Sequence, residues 1–178
     1  MIQLYYHLSP NPNPNQVALF REESGLRYEL IPVDPGKGEQ HLLNYIAINP
    51  DAKTPSLVKG DTVAFDSGAI LLYLADKTRL FLARNTQQVR AQMYSWLKFI
   101  ASGIRPYSGQ AVHFRHFAAD HKDYALMRYE FEAWRHWRIL EARLSKSRYM
   151  LGDEYTLVNM AVWGWARTSL LARPAGLG

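Results

Sequence analysis

The sequence predicts a small α/β domain with a mixed sheet, followed by an all-α domain. Two observations lead there. In the first part of the chain, short alternating apolar runs separated by turn residues give the order β-α-β, a linker, then β-β-α. From Thr86 onward, apolar residues recur at helical spacing, as in Val89, Met93, Trp96, Leu97 and Ile100. The expected domains are residues 1–79 and 86–178, joined by a short linker over residues 80–85.

Each element has a local cause. Ile2, Leu4 and Tyr6 alternate with Gln3, Tyr5 and His7, which predicts a first strand. Ser9 to Asn15 is a Pro-Asn loop, because its prolines block regular structure and its Asn side chains favour turns and caps. Asn15 is the expected cap of a helix over Gln16 to Ser24, with Val17 and Phe20 inward and Gly25 as its stop. Tyr28 to Val33 is a second strand, and Gln40 to Ile48 a short helical or irregular link. Ser56 to Lys59 and Thr62 to Phe65 form a hairpin across Gly60-Asp61, and Ser67 caps a helix to about Lys77. This order is the thioredoxin-like arrangement, which needs a right-handed crossover for its parallel pair. In the helical part, one helix is expected to end near Ser102-Gly103. A second runs from about Tyr124 to Leu144, with Met127, Phe131 and Trp134 along it. Thr156 opens a third with capping-box spacing to Asn159, and Trp163 and Trp165 read as core aromatics.

Composition narrows the function classes. Of 178 residues, 48% are hydrophobic and 21% charged, which suits packed cores rather than disorder. With no long apolar run and no secretory pattern at Met1 to Leu4, no membrane association is expected, and the cytoplasm is the expected compartment. There is no cysteine, so disulfides, thiolate metal sites and protein-thiol nucleophiles are excluded. Any sulfur chemistry must use a ligand's thiol. The net charge of +5 is scattered, without a basic block, so nucleic acid is not an expected partner.

Three features could serve one small anionic peptide. Thr54-Pro55 opens a strand; a cis bond there would turn the Thr54 backbone outward as an edge for an extended peptide, whereas an ordinary trans Pro also suits an edge strand. Asp66-Ser67 begins a helix whose free N–H groups attract a carboxylate, with the Asp66 side chain available to an ammonium; the same pair also suits a plain N-cap. Ser9 and Asn11 follow the first strand, where a hydroxyl or amide can donate to a thiolate, or bond only to the local backbone. Lowering a thiol pKa of ~8.5 by about two units requires roughly 2.7 kcal/mol. One hydrogen bond to a charged acceptor supplies about 1.5–3 kcal/mol and a helix N-terminus about 0.3–1, so no base is required.

Taken together, these segments resemble the glutathione transferases, and among them the bacterial Nu-class proteins that also reduce disulfides. The matching residues are Leu4-Tyr5-Tyr6 with Ser9-Pro10-Asn11, Val33-Asp34 with Gly36 to Gln40, Ile48-Asn49-Pro50 with Lys53-Thr54-Pro55, and Asp66 to Leu74. The helical half adds Gly109-Gln110 with His113-Phe114, Arg128-Tyr129, and Tyr149 to Asp153 leading to Thr156. The resemblance implies a thioredoxin-like glutathione-binding domain and a helical C-terminal domain. It also implies a cytoplasmic homodimer acting in detoxification, with glutathione as substrate and no metal. By position, Ser9 and Asn11 would face the sulfur, with Asn13 and Asn15 competing with Asn11. Gln40 and Lys53 would hold the glycyl end, the Thr54 backbone beside Pro55 the cysteinyl residue, and Asp66 and Ser67 the γ-glutamyl end. Arg128 would approach from the same or a partner subunit.

The helical half carries further expectations. Tyr107, His113 and Phe114 are candidates to line a pocket for the second substrate, or to serve core or dimer packing. His113, His116 and His121 are close in sequence but lack the spacing of a metal motif. Relatives in the family continue beyond Arg167 with more helices, so the resemblance implies a shortened C-terminus with an exposed apolar face. The leading expectation is a glutathione transferase that delivers the thiolate to an electrophile. The alternatives are a glutathione-dependent disulfide reductase at the same site, and a non-catalytic binding or dimerisation module.

Overall fold

The computed structural model describes residues 1–8, 11–120 and 122–167. The expectations on Ser9, Pro10, His121 and residues 168–178 lie outside the described residues. The chain divides into two compact units, Met1–Leu82 and Ala83–Gly178.

In the first unit the strands are β1 (Ile2–Tyr6), β2 (Tyr28–Pro32), β3 (Ser56–Lys59) and β4 (Thr62–Phe65). They form one sheet in the order β2-β1-β3-β4. β1 runs parallel to β2 and antiparallel to β3, and β3 antiparallel to β4. The helices are α1 (Pro12–Ser24), the short α2 (Leu43–Ile46) and α3 (Ser67–Thr78), with two 3-10 turns at Pro35–Lys37 and Glu39–His41. This is the thioredoxin-like architecture. Its core joins Ile2, Leu4 and Leu57 of the sheet to Val17 and Phe20 of α1 and Ile70, Leu71 and Leu74 of α3, all buried. That arrangement follows from alternation in the strands and a one-sided apolar stripe in each helix.

Two helix starts differ from expectation. α1 begins at Pro12, with Asn11 as cap: the Asn11 side chain accepts from the Asn13 N–H at 3.0 Å. Proline is suited to a first turn, where its missing N–H costs nothing. Asn15, the expected cap, instead accepts from the Tyr6 hydroxyl at 2.7 Å. At α3 the cap is Asp66 rather than Ser67. Its Oδ1 accepts from the Gly68 and Ala69 N–H groups at 3.0 and 3.2 Å.

The second unit contains α4 (Gln87–Phe99), α5 (Arg105–His116), α6 (Asp123–Leu144) and α7 (Leu157–Ala166). Thr86 caps α4 and Asn159 closes on Thr156 at the start of α7, its Oδ1 accepting from the Thr156 N–H at 3.2 Å. The first helix does not end at Ser102-Gly103. The backbone passes through a π turn, Ile100–Ile104, and continues into α5. Gly103 is where the His136 ring of α6 packs, and a Cβ there would overlap that ring. His136 is buried, lies 5.0 Å from Phe99 and 5.1 Å from Tyr107, and its Nδ1 is 2.6 Å from the Glu132 carbonyl.

α6 covers the expected span, and the structure sets which of its faces is buried. Met127, Phe131 and Leu144 are exposed, while Glu130, Glu132, Ala133, His136 and Leu140 are buried. The polar face can be buried because it is paired. Glu130 meets Arg115, and Glu132 takes Arg128 at 2.7 Å and Arg135 at 2.9 Å. The Glu132 carboxyl is held below the usual carboxylate range, chiefly by the Arg135 hydrogen bond, then by Arg128, against the cost of desolvation. Trp165 is buried as expected, but Trp163 is exposed.

Two outcomes test this packing. Gly103→Ala gains about 1 kcal/mol of helix propensity but forces His136 aside, and overpacking costs about 1–3 kcal/mol; urea unfolding should show a net loss. A carboxyl with a depressed folded pKa stabilises fully above its unfolded value and loses that contribution as pH falls through the folded one. Glu132→Gln should therefore lower stability at neutral pH and flatten the decline toward acid, read from thermal unfolding across pH.

Candidate functional site

The sheet pairing gathers the candidate residues of the first unit. Ser56 pairs with Tyr5 of β1 on one side and Phe65 of β4 on the other. The exit of β1, the entry to β3 and the exit of β4 therefore lie at one end of the sheet. Asn11 follows the first, Thr54-Pro55 precedes the second, and Asp66-Ser67 follows the third. The N-termini of α1 and α3 start from the same end, and the positive ends of both helix dipoles face it; the first-turn N–H groups of Asn13, Gly68 and Ala69 are themselves taken by the caps Asn11 and Asp66.

The Thr54-Pro55 peptide bond is cis. Thr54 lies outside the strand ladder, and among the described residues neither its N–H nor its C=O has a hydrogen-bond partner. Beneath it the chain is held firmly. The Tyr45 hydroxyl donates to the Lys53 carbonyl at 2.7 Å and lies 2.9 Å from Ser56 Oγ. Asn49 Nδ2 donates to the same carbonyl at 2.6 Å and reaches Ser56 Oγ at 3.1 Å. Asn49 Oδ1 accepts from the Asp51 N–H at 3.0 Å. Tyr45, Asn49 and Ser56 are all buried. Burial pushes the Tyr45 phenol above its ordinary pKa, against hydrogen bonds with Ser56 and Asn49, so it stays neutral and able to donate.

Asp66 has φ +69°, a left-handed conformation that non-glycine residues adopt at a cost and that turns its carboxylate back over the first turn of α3. Ser67 is buried beside it, and its Oγ accepts from Gln16 Nε2 of α1 at 2.8 Å. Lys53 is exposed and its ammonium contacts both oxygens of Asp51 at 3.1 Å. Gln40 sits in the Glu39–His41 turn with a buried Oε1, and Asn13 Oδ1 is likewise buried; among the described residues neither atom has a hydrogen-bond partner.

The candidates of the second unit pack among themselves. Phe114 stacks on Tyr129 at 5.4 Å, and Tyr107 lies 6.4 Å from Tyr129. His113 is exposed and meets Phe114 edge-on at 5.2 Å. Tyr107 and Phe114 are therefore part of the α5–α6 packing. Arg128 is tied to Glu132. No cluster of His, Asp or Glu suited to a metal occurs among the described residues, and none of their helices is long and apolar enough to cross a membrane.

Comparison with known proteins matches this arrangement. The family described as glutathione S-transferase, N-terminal domain, matches residues 3–76. The disulfide-bond oxidoreductase YfcG of Escherichia coli (strain K12) is 41% identical over 172 residues, spanning 93% of this chain and 79% of YfcG. The chain belongs to the glutathione S-transferase superfamily. Within it, the chain stands near the YfcG-like proteins. A glutathione transferase family member from Pseudomonas fluorescens pf-5, solved with two glutathione bound, superposes with a TM-score of 0.87 at 32% identity, covering 94% of this chain and 76% of that one. A glutathione transferase from Pseudomonas putida, solved with one glutathione disulfide per subunit, gives a TM-score of 0.87 at 31% identity, over 94% and 74%.

Motif reading of this superfamily member missed Gln16, Tyr45 and the role of Asn49. Asn49 stood in a noted motif, but its bond to Lys53 spans a turn whose course only the fold specifies. Gln16 and Ser67 are 51 residues apart. Loss of one hydrogen bond costs about 0.5–1.5 kcal/mol, and a buried group left unpaired about 1–3. Tyr45→Phe should therefore destabilise by about 1 kcal/mol and Asn49→Ala by about 2–3, measured by denaturant unfolding.

Proposed function

We propose that this chain binds glutathione at the end of the first unit's sheet and uses its thiol in glutathione-dependent disulfide reduction. The observation that carries the reading is the unpaired Thr54 backbone, firmly held from below, between the β1 exit and the Asp66-Ser67 start of α3. An extended peptide can pair with such an edge. Its amino-acid end meets an anionic side chain and a helix N-terminus together, a match for a zwitterion. The binding half is taken as residues 1–79, with Gln40 and Lys53 toward the glycyl end. The resemblance further implies Arg128 as a glutathione contact and a cytoplasmic homodimer as the assembly. Exposed Tyr124, Met127 and Phe131 of α6 support the dimer.

The chemistry needs no protein thiol, and the chain has none. A bound glutathione thiolate attacks one sulfur of a disulfide. One thiol leaves, and the glutathione is held as a mixed disulfide. A second glutathione thiolate attacks the glutathione sulfur of that bond and releases the other thiol. Two glutathiones lose two electrons to become glutathione disulfide, and the substrate gains them as two thiols. Ser9 and Asn11 are the proposed donors that keep the first thiol ionised. The name of the 41%-identical relative and the glutathione disulfide in the Pseudomonas putida structure favour this reading. Transfer to an electrophilic carbon, with departure of a leaving group, is the second reading, supported by the superfamily as a whole.

Calorimetry should show glutathione binding, and a coupled assay should show reduction of a mixed disulfide. Activity on an aryl halide alone would reject the reductase in favour of the transferase. Absence of binding at millimolar glutathione by the folded protein would reject both. Ser9→Ala should raise the pKa of the bound thiol by about one unit or more, read from thiolate absorbance.

A further inference from the structure

We infer that Gln16 sets the hydrogen-bond polarity of Ser67 and so makes this corner of the site select a carboxylate. The inference rests on the glutathione reading above. A serine hydroxyl has one hydrogen to donate and two lone pairs that accept. Gln16 approaches it with Nε2, a group that only donates, at 2.8 Å. Ser67 Oγ must therefore accept from Gln16, and its own hydrogen points elsewhere. Among the described residues that hydrogen has no receiver: Gln16 is the hydroxyl's one partner there.

The neighbourhood leaves the hydroxyl no easy alternative. Ser67 is 3% exposed and Gln16 also 3%, so bulk water reaches neither freely. Asp66, the adjacent carboxylate, directs Oδ1 to the Gly68 and Ala69 N–H groups. A buried O–H without an acceptor is unfavourable, and a ligand that brings one relieves it. Ser67 therefore presents a donor beside the N-terminus of α3, where negative charge is already favoured. The α-carboxylate of a γ-glutamyl group belongs at Ser67, and its ammonium belongs toward Asp66. Gln16 acts through Ser67 and is a positioning residue that governs specificity.

The test compares two ligands by calorimetry: glutathione, and 4-aminobutyryl-cysteinylglycine, which lacks only the α-carboxylate. A hydrogen bond to a charged group corresponds to about a tenfold or greater change in affinity. The native protein should prefer glutathione by at least about that factor, and Ser67→Ala should reduce the preference about tenfold. Gln16→Glu turns the partner into an acceptor that captures the Ser67 hydrogen. It should reduce the preference by a similar factor, with affinity for the analogue changed less than about twofold. In the Ser67→Ala background, Gln16→Glu should then change the preference no further. A purely structural role for Gln16 would weaken both ligands equally, and simple charge repulsion would lower the preference in the Ser67→Ala background too. Either result overturns the inference. Should Gln16→Glu fail to fold, by circular dichroism, Gln16→Met takes its place, with the preference expected to fall about threefold and only when Ser67 is present. If the native protein binds glutathione but does not discriminate, this inference fails alone. If the folded native protein binds neither ligand, the glutathione reading fails with it.

Discussion

The double pairing of Ser56, with Tyr5 on one side and Phe65 on the other, is the constraint on which the first unit depends. It makes β3 an inner strand and brings three chain crossings to the same end of the sheet. A shift of register by one residue would turn Leu57 out of the core and carry Thr54 and Asp66 away from each other. The buried Ser56 side chain reinforces the register from below, through Tyr45 and Asn49. The same residues hold the Lys53 carbonyl. The framework that aligns the sheet is thus also the framework that supports the peptide edge.

This support shows how a site can be built without reactive side chains of its own. The groups gathered at the sheet end are the Thr54 backbone, the Asp66 carboxylate used partly as a helix cap, and the buried Ser67 hydroxyl. Each is weak in isolation. Their value comes from being fixed before a ligand arrives, so that little conformational entropy is lost on binding. Under the proposed function the sulfur belongs to the ligand, and the protein's contribution would be to bind, orient and polarise it.

The helical unit solves a different packing problem. Its longest helix buries two glutamates and a histidine and exposes a methionine and a phenylalanine. The inversion is sustained because Arg115, Arg128 and Arg135 neutralise the carboxylates, and because the π turn at Ile100–Ile104 makes room for His136 against Gly103. The apolar residues that the periodicity picked out are real members of one helix face. Met127 and Phe131 on it are exposed in the single chain, while Trp134 is half-buried.

The four strands, the hairpin at Gly60-Asp61, the glycine stop of α1 and the thioredoxin-like order were all legible in the sequence. They rest on interactions between residues close in the chain: alternation, turn chemistry and capping. Thr54-Pro55 and Asp66-Ser67 were visible as a strand start and a helix start for the same reason, while local rules left open whether the Pro bond is cis. Local rules were less decisive where two groups compete for one role. Asn11 and Asn15 both suit a cap, as do Asp66 and Ser67. The proline at Pro12 and the partners Tyr6 and Gln16 settled which residue took it. Only the tertiary structure decided that Tyr45 and Asn49 converge on one carbonyl, that Gln16 meets Ser67, and that α6 turns its charged face inward. Each of these depends on a partner supplied from another segment, and the burial of a polar group is favourable only once that partner is in place.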